Sequence, residues 1–289
     1  MEGRISKVKA KKRTVNIIIF TVLALGSILM LYPFVWMIFT SFKPKLHVYI
    51  GGLLPQVWTT ESYTQIWGEI DLLRGFLNTI LYSIPPVIIG SLVSVAAAYA
   101  FAKIRFKGRN ALFLVLLGSI MIPFPSIMVP QYVLFSGQFW IFRVNLLQSP
   151  WPLILPKLTG NVMMIFFLRQ FLYGVPDSLV EAAKIDGCSQ LRIYWQMILP
   201  IAIPALSAHG VLWFIGACNY CLALTMFIKN PDWHPVTVMI AKFNEQYAIN
   251  NHVPRIMAGS VMLIIPVLII YGLFQRWIIE SMMFSAVKE

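Results

Sequence analysis

The sequence is poor in charge and in cysteine. Charged residues make up 12% of the 289 positions and hydrophobic residues 58%, with a mean hydropathy of +0.75. Because soluble domains are nearer half apolar, this composition excludes an ordinary soluble domain. The three cysteines, Cys188, Cys218 and Cys221, indicate no disulfide framework. The sequence also lacks a G-x-x-x-x-G-K-S/T phosphate loop, which excludes ATP hydrolysis by that route.

What is present is a series of apolar runs of about 20 residues, the length of a membrane-spanning helix. They predict an all-α, polytopic membrane protein with six transmembrane helices, at about 15–40, 76–101, 111–135, 151–172, 199–224 and 256–279. The third span carries Pro123, Pro125 and Pro130, so it either lines a cavity or is a kinked packing helix. Residues 41–75 and about 226–255 are predicted external loops, the first with a possible short interfacial helix.

The basic residues fit membrane orientation better than nucleic-acid binding. Six lie within residues 1–13 and precede a run too long for a signal peptide, so we predict an uncleaved first span. With the N-terminus inside, fifteen basic residues lie in cytoplasmic segments and eight outside. The positive-inside rule therefore predicts that both termini are cytoplasmic.

A polar stretch, Ser178–Pro204, interrupts the apolar runs on the predicted cytoplasmic side. Ser178 and Glu181 have the spacing of a capping box, and Gly187 is typical of a helix end. A helix from Leu179 to Asp186 would place Leu179, Ala182, Ala183 and Asp186 on one slim exposed face. A second helix is predicted from about Ser189. The alternative is an interfacial connector in which Glu181 only closes its own cap.

Glu181-Ala182-Ala183, Gly187 and Leu199-Pro200 resemble the EAA loop of binding-protein-dependent ABC importer permeases, the inner-membrane components of these systems. In that family the loop docks in a cleft of the cytoplasmic ATPase. The resemblance implies that Glu181 pairs with a basic ATPase residue and that the small residues permit close packing. It therefore implies an ATPase-coupling role for Glu181, Ala182, Ala183, Asp186, Gly187, Leu199 and Pro200.

Further segments are similar to carbohydrate importer permeases, above all to the MalG-like half of the maltose-type group. They are FLNT (76–79), AYAFAKIRFKGRN (98–110), FFLRQF (166–171) and QRWIIE (275–280) with the closing SAVKE. The resemblance implies a type I ABC importer permease fold, in a bacterial cytoplasmic (inner) membrane. The implied organisation is a basic cytoplasmic tail (1–14), a first transmembrane helix and external loop (15–75), a permease domain (76–280, coupling helices about 178–196) and a cytoplasmic C-terminal tail (281–289).

The resemblance implies a non-enzymatic permease subunit that imports a carbohydrate, an oligosaccharide in particular. Its implied partners are a MalF-like sibling permease, two ATPase subunits and an extracytoplasmic solute-binding protein, together with membrane lipid and no nucleic acid. No cofactor is expected in this chain, since the ATPase subunits bind ATP and Mg. The resemblance to MalG-like permeases also implies that the loop containing Asp232, Trp233 and His234 contacts the binding protein.

Asn219 and Tyr220 are polar groups at membrane depth, where such groups face either a cavity or another helix. They are candidates for the substrate pathway, with Cys218, which stands where relatives usually have tryptophan. Cys218 and Cys221 have metal-ligand spacing, but no second ligand pair lies near them, so no metal site is predicted. His209 is expected to be packed or pore-facing rather than catalytic.

Three other functions remain open at this point. A secondary transporter driven by an ion gradient would favour acidic or histidine relays within its spans, whereas the acids here lie almost wholly outside them. A non-transporting membrane scaffold is the second, and an ABC permease for a non-sugar solute is the third.

Overall fold

A computed structural model describes residues 2–50, 52–138, 144–218, 221–228, 230–248 and 252–286. Within these ranges the chain is helical and contains no strand, which confirms the all-α prediction. The α-helices are α1 (Glu2–Ser41), α2 (Glu61–Glu69), α3 (Leu72–Lys103), α4 (Arg109–Gly118), α5 (Phe124–Phe135), α6 (Trp151–Leu158), α7 (Val162–Tyr173), α8 (Asp177–Ile185), α9 (Gln190–Ile193), α10 (Leu199–Cys218), α11 (Cys221–Phe227), α12 (Val236–Ala248) and α13 (Val253–Ala286).

Four stretches of the described chain are helical, long and apolar enough to cross a membrane: Arg13–Ser41, Leu72–Lys103, Trp151–Tyr173 and Val253–Arg276. Two bent helix pairs raise the number to six when each pair forms one span. The first pair bends by 98° between Met121 and Phe124, and the second by 54° between Ser207 and His209. At the first bend Pro123 and Pro125 have no N–H to donate, so the predicted third span is broken rather than continuous.

Two segments outside the predicted spans contain helix. Helix α1 begins at Glu2 and therefore includes the basic N-terminal tail. The predicted external loop at 226–255 holds the 13-residue helix α12. By contrast, the short helix suggested in the first external loop is present as α2.

The chain divides into two compact units. One comprises Met1–Ile70 and Lys242–Met262, where the end of α1 meets α2: the Ser41 and Tyr63 hydroxyls lie 2.8 Å apart, and the Phe42 ring packs between Trp58 and Tyr63. The other comprises Asp71–Ala241 and Leu263–Glu289 and is built around α3.

Small residues recur every fourth position along α3 and let its neighbours approach closely. They are Gly90, Ser94, Ala98 and Ala102. Ser94 Oγ accepts a hydrogen bond from the Asn161 N–H at 2.8 Å, which fastens the start of α7 to α3. Close backbone approach over small residues is a principal source of helix association in membranes. The unit therefore depends on the size of these side chains.

We expect Gly90→Ala to destabilise the protein. A Cβ at Gly90 would lie 2.4 Å from the Lys157 carbonyl oxygen and 2.4 Å from Trp213 Cη2, and the backbone oxygen cannot move aside alone. Overpacking of this kind costs about 1–3 kcal/mol. Thermal unfolding in detergent measures the loss, and Gly118→Ala is the control because nothing lies within 4 Å of its Cβ position. Equal stability of the two variants would contradict the packing around α3.

Candidate functional site

The polar stretch forms two short helices, α8 and α9, which are joined by a turn at Gly187 and are together called the hairpin. The start of α8 differs from the prediction. The helix begins at Asp177, after Pro176, and the structure gives no side-chain cap at this position. The capping box of Ser178 with Glu181 is therefore wrong. Lys103 binds the Asp177 carboxylate and so anchors this end of the helix instead. The serine cap is at Ser189, whose Oγ accepts from the Arg192 N–H at 3.3 Å and starts α9.

The end of α8 agrees with the sequence. Gly187 has φ +76°, a left-handed conformation that favours glycine. The Cys188 N–H donates to the Ala183 carbonyl at 2.9 Å, and the Gly187 N–H to the Lys184 carbonyl at 3.0 Å. These two bonds form a Schellman motif. Gly187 therefore ends the helix as predicted and turns the chain into α9.

The exposed face of α8 agrees with the spacing at Leu179, Ala182 and Asp186 but not at Ala183. Val180 is buried, and Ala183 is partly buried against the same apolar core, so Ala183 faces inward. Glu181, Ala182 and Asp186 are exposed. Ile185 is 86% exposed, although it is a large apolar side chain in a polar helix. The hairpin thus exposes an apolar side chain that the spacing did not predict, and beyond the turn Leu191 and Trp195 are exposed as well.

Four hydrogen bonds fasten this hairpin and the residues that flank it to α3. The Lys103 ammonium, with a side chain only 3% exposed, donates to the Val175 carbonyl and to Asp177 Oδ1, each at 2.5 Å. The Tyr99 hydroxyl donates to Gln190 Oε1 at 2.6 Å. The Tyr194 hydroxyl donates to the Leu92 carbonyl at 2.8 Å. A displacement of the hairpin is therefore transmitted to α3 through these hydrogen bonds.

The ion pair with Lys103 lowers the pKa of the Asp177 carboxyl group. The hydrogen bond from Lys103 and its charge, with a smaller contribution from Arg105, hold the pKa of Asp177 below its usual value of 3.8. Lys103 stabilises the charged carboxylate and thereby lowers its pKa. The stabilisation from this ion pair is therefore complete above pH 3.8 and is lost as the pH falls through the lower pKa of the folded state.

Leu199 and Pro200 lie in continuous helix rather than in the loop. Residues Tyr194–Ile198 form a π-helical segment, and α10 begins at Leu199. Pro200 has no N–H for the Gln196 carbonyl and its ring crowds that oxygen, which a wider π turn accommodates. The hairpin is thereby joined to α10 without a flexible linker.

The three predicted binding-protein contacts have different environments. Asp232 is exposed and pairs with Arg74 at 2.8 Å, and Trp233 is partly exposed. His234 is only 2% exposed, and a ring nitrogen lies 3.2 Å from the Ile228 carbonyl. His234 is therefore a packing residue in this structure, and its predicted place on a contact surface is wrong.

The start of α3 holds this segment, an arrangement that sequence reasoning missed. Asn78 Nδ2 donates to the Asp232 carbonyl at 2.8 Å and to the His234 carbonyl at 3.0 Å. The Tyr82 hydroxyl donates to the Trp233 carbonyl at 3.1 Å, and Thr79 Oγ1 accepts from the Val236 N–H at 3.2 Å. The only signal was the FLNT motif, in which a polar amide begins an apolar helix.

We expect Asn78→Leu to release residues 230–236. The substitution keeps the branching at Cγ but removes two hydrogen bonds to backbone carbonyls. Each carbonyl left unpaired in a buried site costs about 1–3 kcal/mol. Hydrogen exchange of peptides spanning 230–236 should accelerate. Leu77→Ala, at the exposed neighbouring position, is the control. Unchanged exchange in Asn78→Leu would show that the other contacts suffice.

The predicted pathway residues are only partly placed. Asn219 and Tyr220 lie outside the described residues, and Cys218 is the last residue of α10. His209 stacks on Phe167 with ring centroids 4.5 Å apart, in agreement with a packed histidine. Among the described residues no group of three His, Cys, Asp or Glu side chains could hold a metal ion.

Comparison with known proteins identifies the family. Residues 75–283 match the model of the binding-protein-dependent transport system inner membrane component. The arabinooligosaccharides transport system permease protein AraQ of Halalkalibacterium halodurans is 30% identical over 286 residues, covering 96% of this chain and 99% of that protein. The probable starch degradation products transport system permease protein AmyC of Thermoanaerobacterium thermosulfurigenes is 30% identical over 264 residues, covering 91% and 93%. The chain therefore belongs to the family of binding-protein-dependent transport system inner membrane components.

Solved structures show the same fold. A chain of a bacterial ABC transporter involved in the import of the acidic polysaccharide alginate has a TM-score of 0.77 at 23% identity, covering 91% of this chain and 96% of that one. A chain of the MetNI methionine ABC transporter has a TM-score of 0.53 at 18% identity, covering 75% and 98%. The predicted ABC importer permease fold is thereby confirmed. Since these transporters carry different solutes, the fold does not define the substrate.

Proposed function

We propose that this chain is the permease subunit of an ATP-driven importer for an oligosaccharide, coupled to its ATPase through the α8–α9 hairpin. The observation that carries the coupling is the outward apolar side chain of Ile185 on a helix whose base is anchored to α3 by Lys103. An exposed apolar surface rimmed by polar groups is typical of a protein contact. A helix fixed to a membrane-spanning helix can transmit the motion of its partner.

The substrate class is supported by the names of several relatives. Besides arabinooligosaccharides and starch degradation products, these names include diacetylchitobiose and lactose. All four are carbohydrates, and three of the names specify more than one sugar unit. A sugar stacks its faces on aromatic rings and pairs its hydroxyls with amides, which keeps Asn219, Tyr220 and Cys218 as candidates for the pathway.

The proposed cycle assigns each partner a separate step. An extracytoplasmic binding protein delivers the sugar near the segment held by Asn78, with Asp232 and Trp233 as contact candidates. Two ATPase subunits bind ATP and Mg and close on the hairpins of this chain and of a MalF-like sibling. In this scheme Glu181 pairs with a basic ATPase residue. Closure of the ATPase moves α3 and α10, so that the translocation pathway opens alternately to the two sides of the membrane. The basic-residue distribution supports cytoplasmic termini.

Reconstitution tests this function. The chain, its sibling, the ATPase and the binding protein are placed in proteoliposomes, and uptake of labelled oligosaccharide is measured with ATP, without ATP and with ionophores. We expect uptake to need ATP and the binding protein and to survive ionophores. Uptake that persists without ATP but collapses with an ion gradient would identify a secondary transporter. Absence of uptake for oligosaccharides, with uptake of an amino acid or ion, would reject the substrate class alone.

A further inference from the structure

A shallow cavity of about 350 Å³ lies at the connection between α3 and α4. Its lining includes two guanidinium-bearing side chains and an aromatic ring, and no acid occurs among these lining residues: Arg105, Phe106, Gly108, Arg109, Asn110 and Ala111. Residues 103–118 contain four basic residues and no acidic residue. The lining is therefore positively charged, although the Asp177 carboxylate, which Lys103 binds, also interacts with Arg105.

The chemistry of the lining suits a phosphate group. Guanidinium groups bind phosphate oxygens in a planar, two-pronged geometry. Arg105 is exposed, and the nearest structural use of Arg109 is a 3.5 Å contact from Nη1 to the Ile104 carbonyl, at the limit of a hydrogen bond. Asn110 and Ala111 belong to the first turn of α4, whose N–H groups have no acceptor within the helix. Lys103 is engaged with Asp177 and Val175 instead.

Apolar surroundings distinguish a lipid from a free anion. Phe106 is exposed beside the two arginines, and Leu112, Leu114 and Val115 are exposed along α4. Helix α4 opens one of the bent pairs that can cross the membrane, starting at Arg109. The cavity therefore lies where a membrane span begins, with its polar lining at the start of an apolar surface. A free phosphate needs no such surface, whereas acyl chains do.

The ion pair between Lys103, near the end of α3, and Asp177, at the start of α8, places this cavity at the same end of α3 as α8. If α8 faces the ATPase, as proposed above, that end is cytoplasmic. The cytoplasmic leaflet carries a negative surface potential that attracts basic segments next to membrane spans. The choice of leaflet rests on the proposed function, while the binding chemistry does not.

We propose that this cavity binds the headgroup of an anionic phospholipid, with its phosphate between Arg105 and Arg109 and its acyl chains along α4. The lipid would fill the space between the polar turn and the apolar helix surface. It would thereby hold the turn that follows Lys103, the residue that anchors the hairpin.

The test uses the purified full-length transporter in nanodiscs of phosphatidylcholine with and without phosphatidylglycerol, and native mass spectrometry counts the lipids retained. We expect phosphatidylglycerol to be retained preferentially, and Arg105→Gln and Arg109→Gln each to weaken its retention roughly tenfold. Lys107→Gln is the matched control, because Lys107 is exposed in the same turn but does not line the cavity. Its retention should equal that of the unmodified protein.

Each other outcome overturns the proposal. Equal loss in all three variants would indicate diffuse surface charge, and displacement of the lipid by inorganic phosphate at equal affinity would indicate a free-anion site. No preference between the two lipids would exclude an anionic headgroup. Because retention is measured without nucleotide or binding protein, a failure of the transport proposal leaves this result unaffected, and the reverse holds.

Discussion

Ile185→Ala is expected to separate this permease from its ATPase while leaving the permease folded. The side chain is 86% exposed on α8, so its truncation removes no internal packing. At a protein interface, burial of such a side chain contributes about 1.5–3 kcal/mol. Its loss should therefore weaken ATPase binding by roughly 10- to 150-fold. Co-purification of the ATPase and ATP-dependent uptake in proteoliposomes measure the effect.

A graded series strengthens this test. Ile185→Glu should have a larger effect than Ile185→Ala, since it places a charge in the contact. Leu73→Ala is the control: Leu73 is also an exposed apolar residue, but it lies in the first turn of α3, at the opposite end from Lys103. If both Ile185 variants retain their ATPase and their uptake, α8 does not dock through this surface.

Lys103→Met is expected to uncouple ATP hydrolysis from uptake. Methionine retains an apolar stem in a buried position but cannot bind the Val175 carbonyl or the Asp177 carboxylate. The ATPase should still bind, because Ile185 and the rest of the outward surface remain. Coupling free energies between sites are typically 1–3 kcal/mol, so transport per ATP hydrolysed should fall by about fivefold or more.

The controls for Lys103 separate coupling from folding. Lys107→Met makes the same chemical change at an exposed position and should have no effect. Asp177→Asn should be milder, because the Val175 bond remains and the Asp177 side chain is 71% exposed. Since the pKa of Asp177 is already below 3.8, coupling should not change with pH between about 5 and 8 through this pair. A Lys103→Met transporter with normal uptake per ATP would contradict the role of the bridge.

Much of the site could be located from the sequence, but its outward face could be predicted only in part. The capping-box spacing and the i, i+3, i+4 pattern put Ala183 on the exposed surface, whereas Val180 and Ala183 together meet the apolar core. A two-turn helix with apolar residues on more than one side has no unique inward face. The neighbouring helices decide it, and they leave Ile185 outside.

The same reason explains His234 and Lys103. A histidine in a polar loop does not indicate that its backbone carbonyl will accept a hydrogen bond from Asn78, which lies far away in the sequence. Likewise, nothing near Lys103 in the sequence distinguishes it from Arg105 or Lys107, since its partner Asp177 is 74 residues away. Long-range pairs of this kind become visible only when the helices are packed.

The sequence by itself determined the helical class, the membrane setting, the position of the hairpin and the glycine that ends α8. These depend on composition, run length and local backbone geometry, which neighbouring residues specify. Only the tertiary structure decided which hairpin side chains face outward and which lysine anchors the hairpin. These depend on the close approach of α7 and α10 to the small residues of α3, which buries one face of each element and exposes the other.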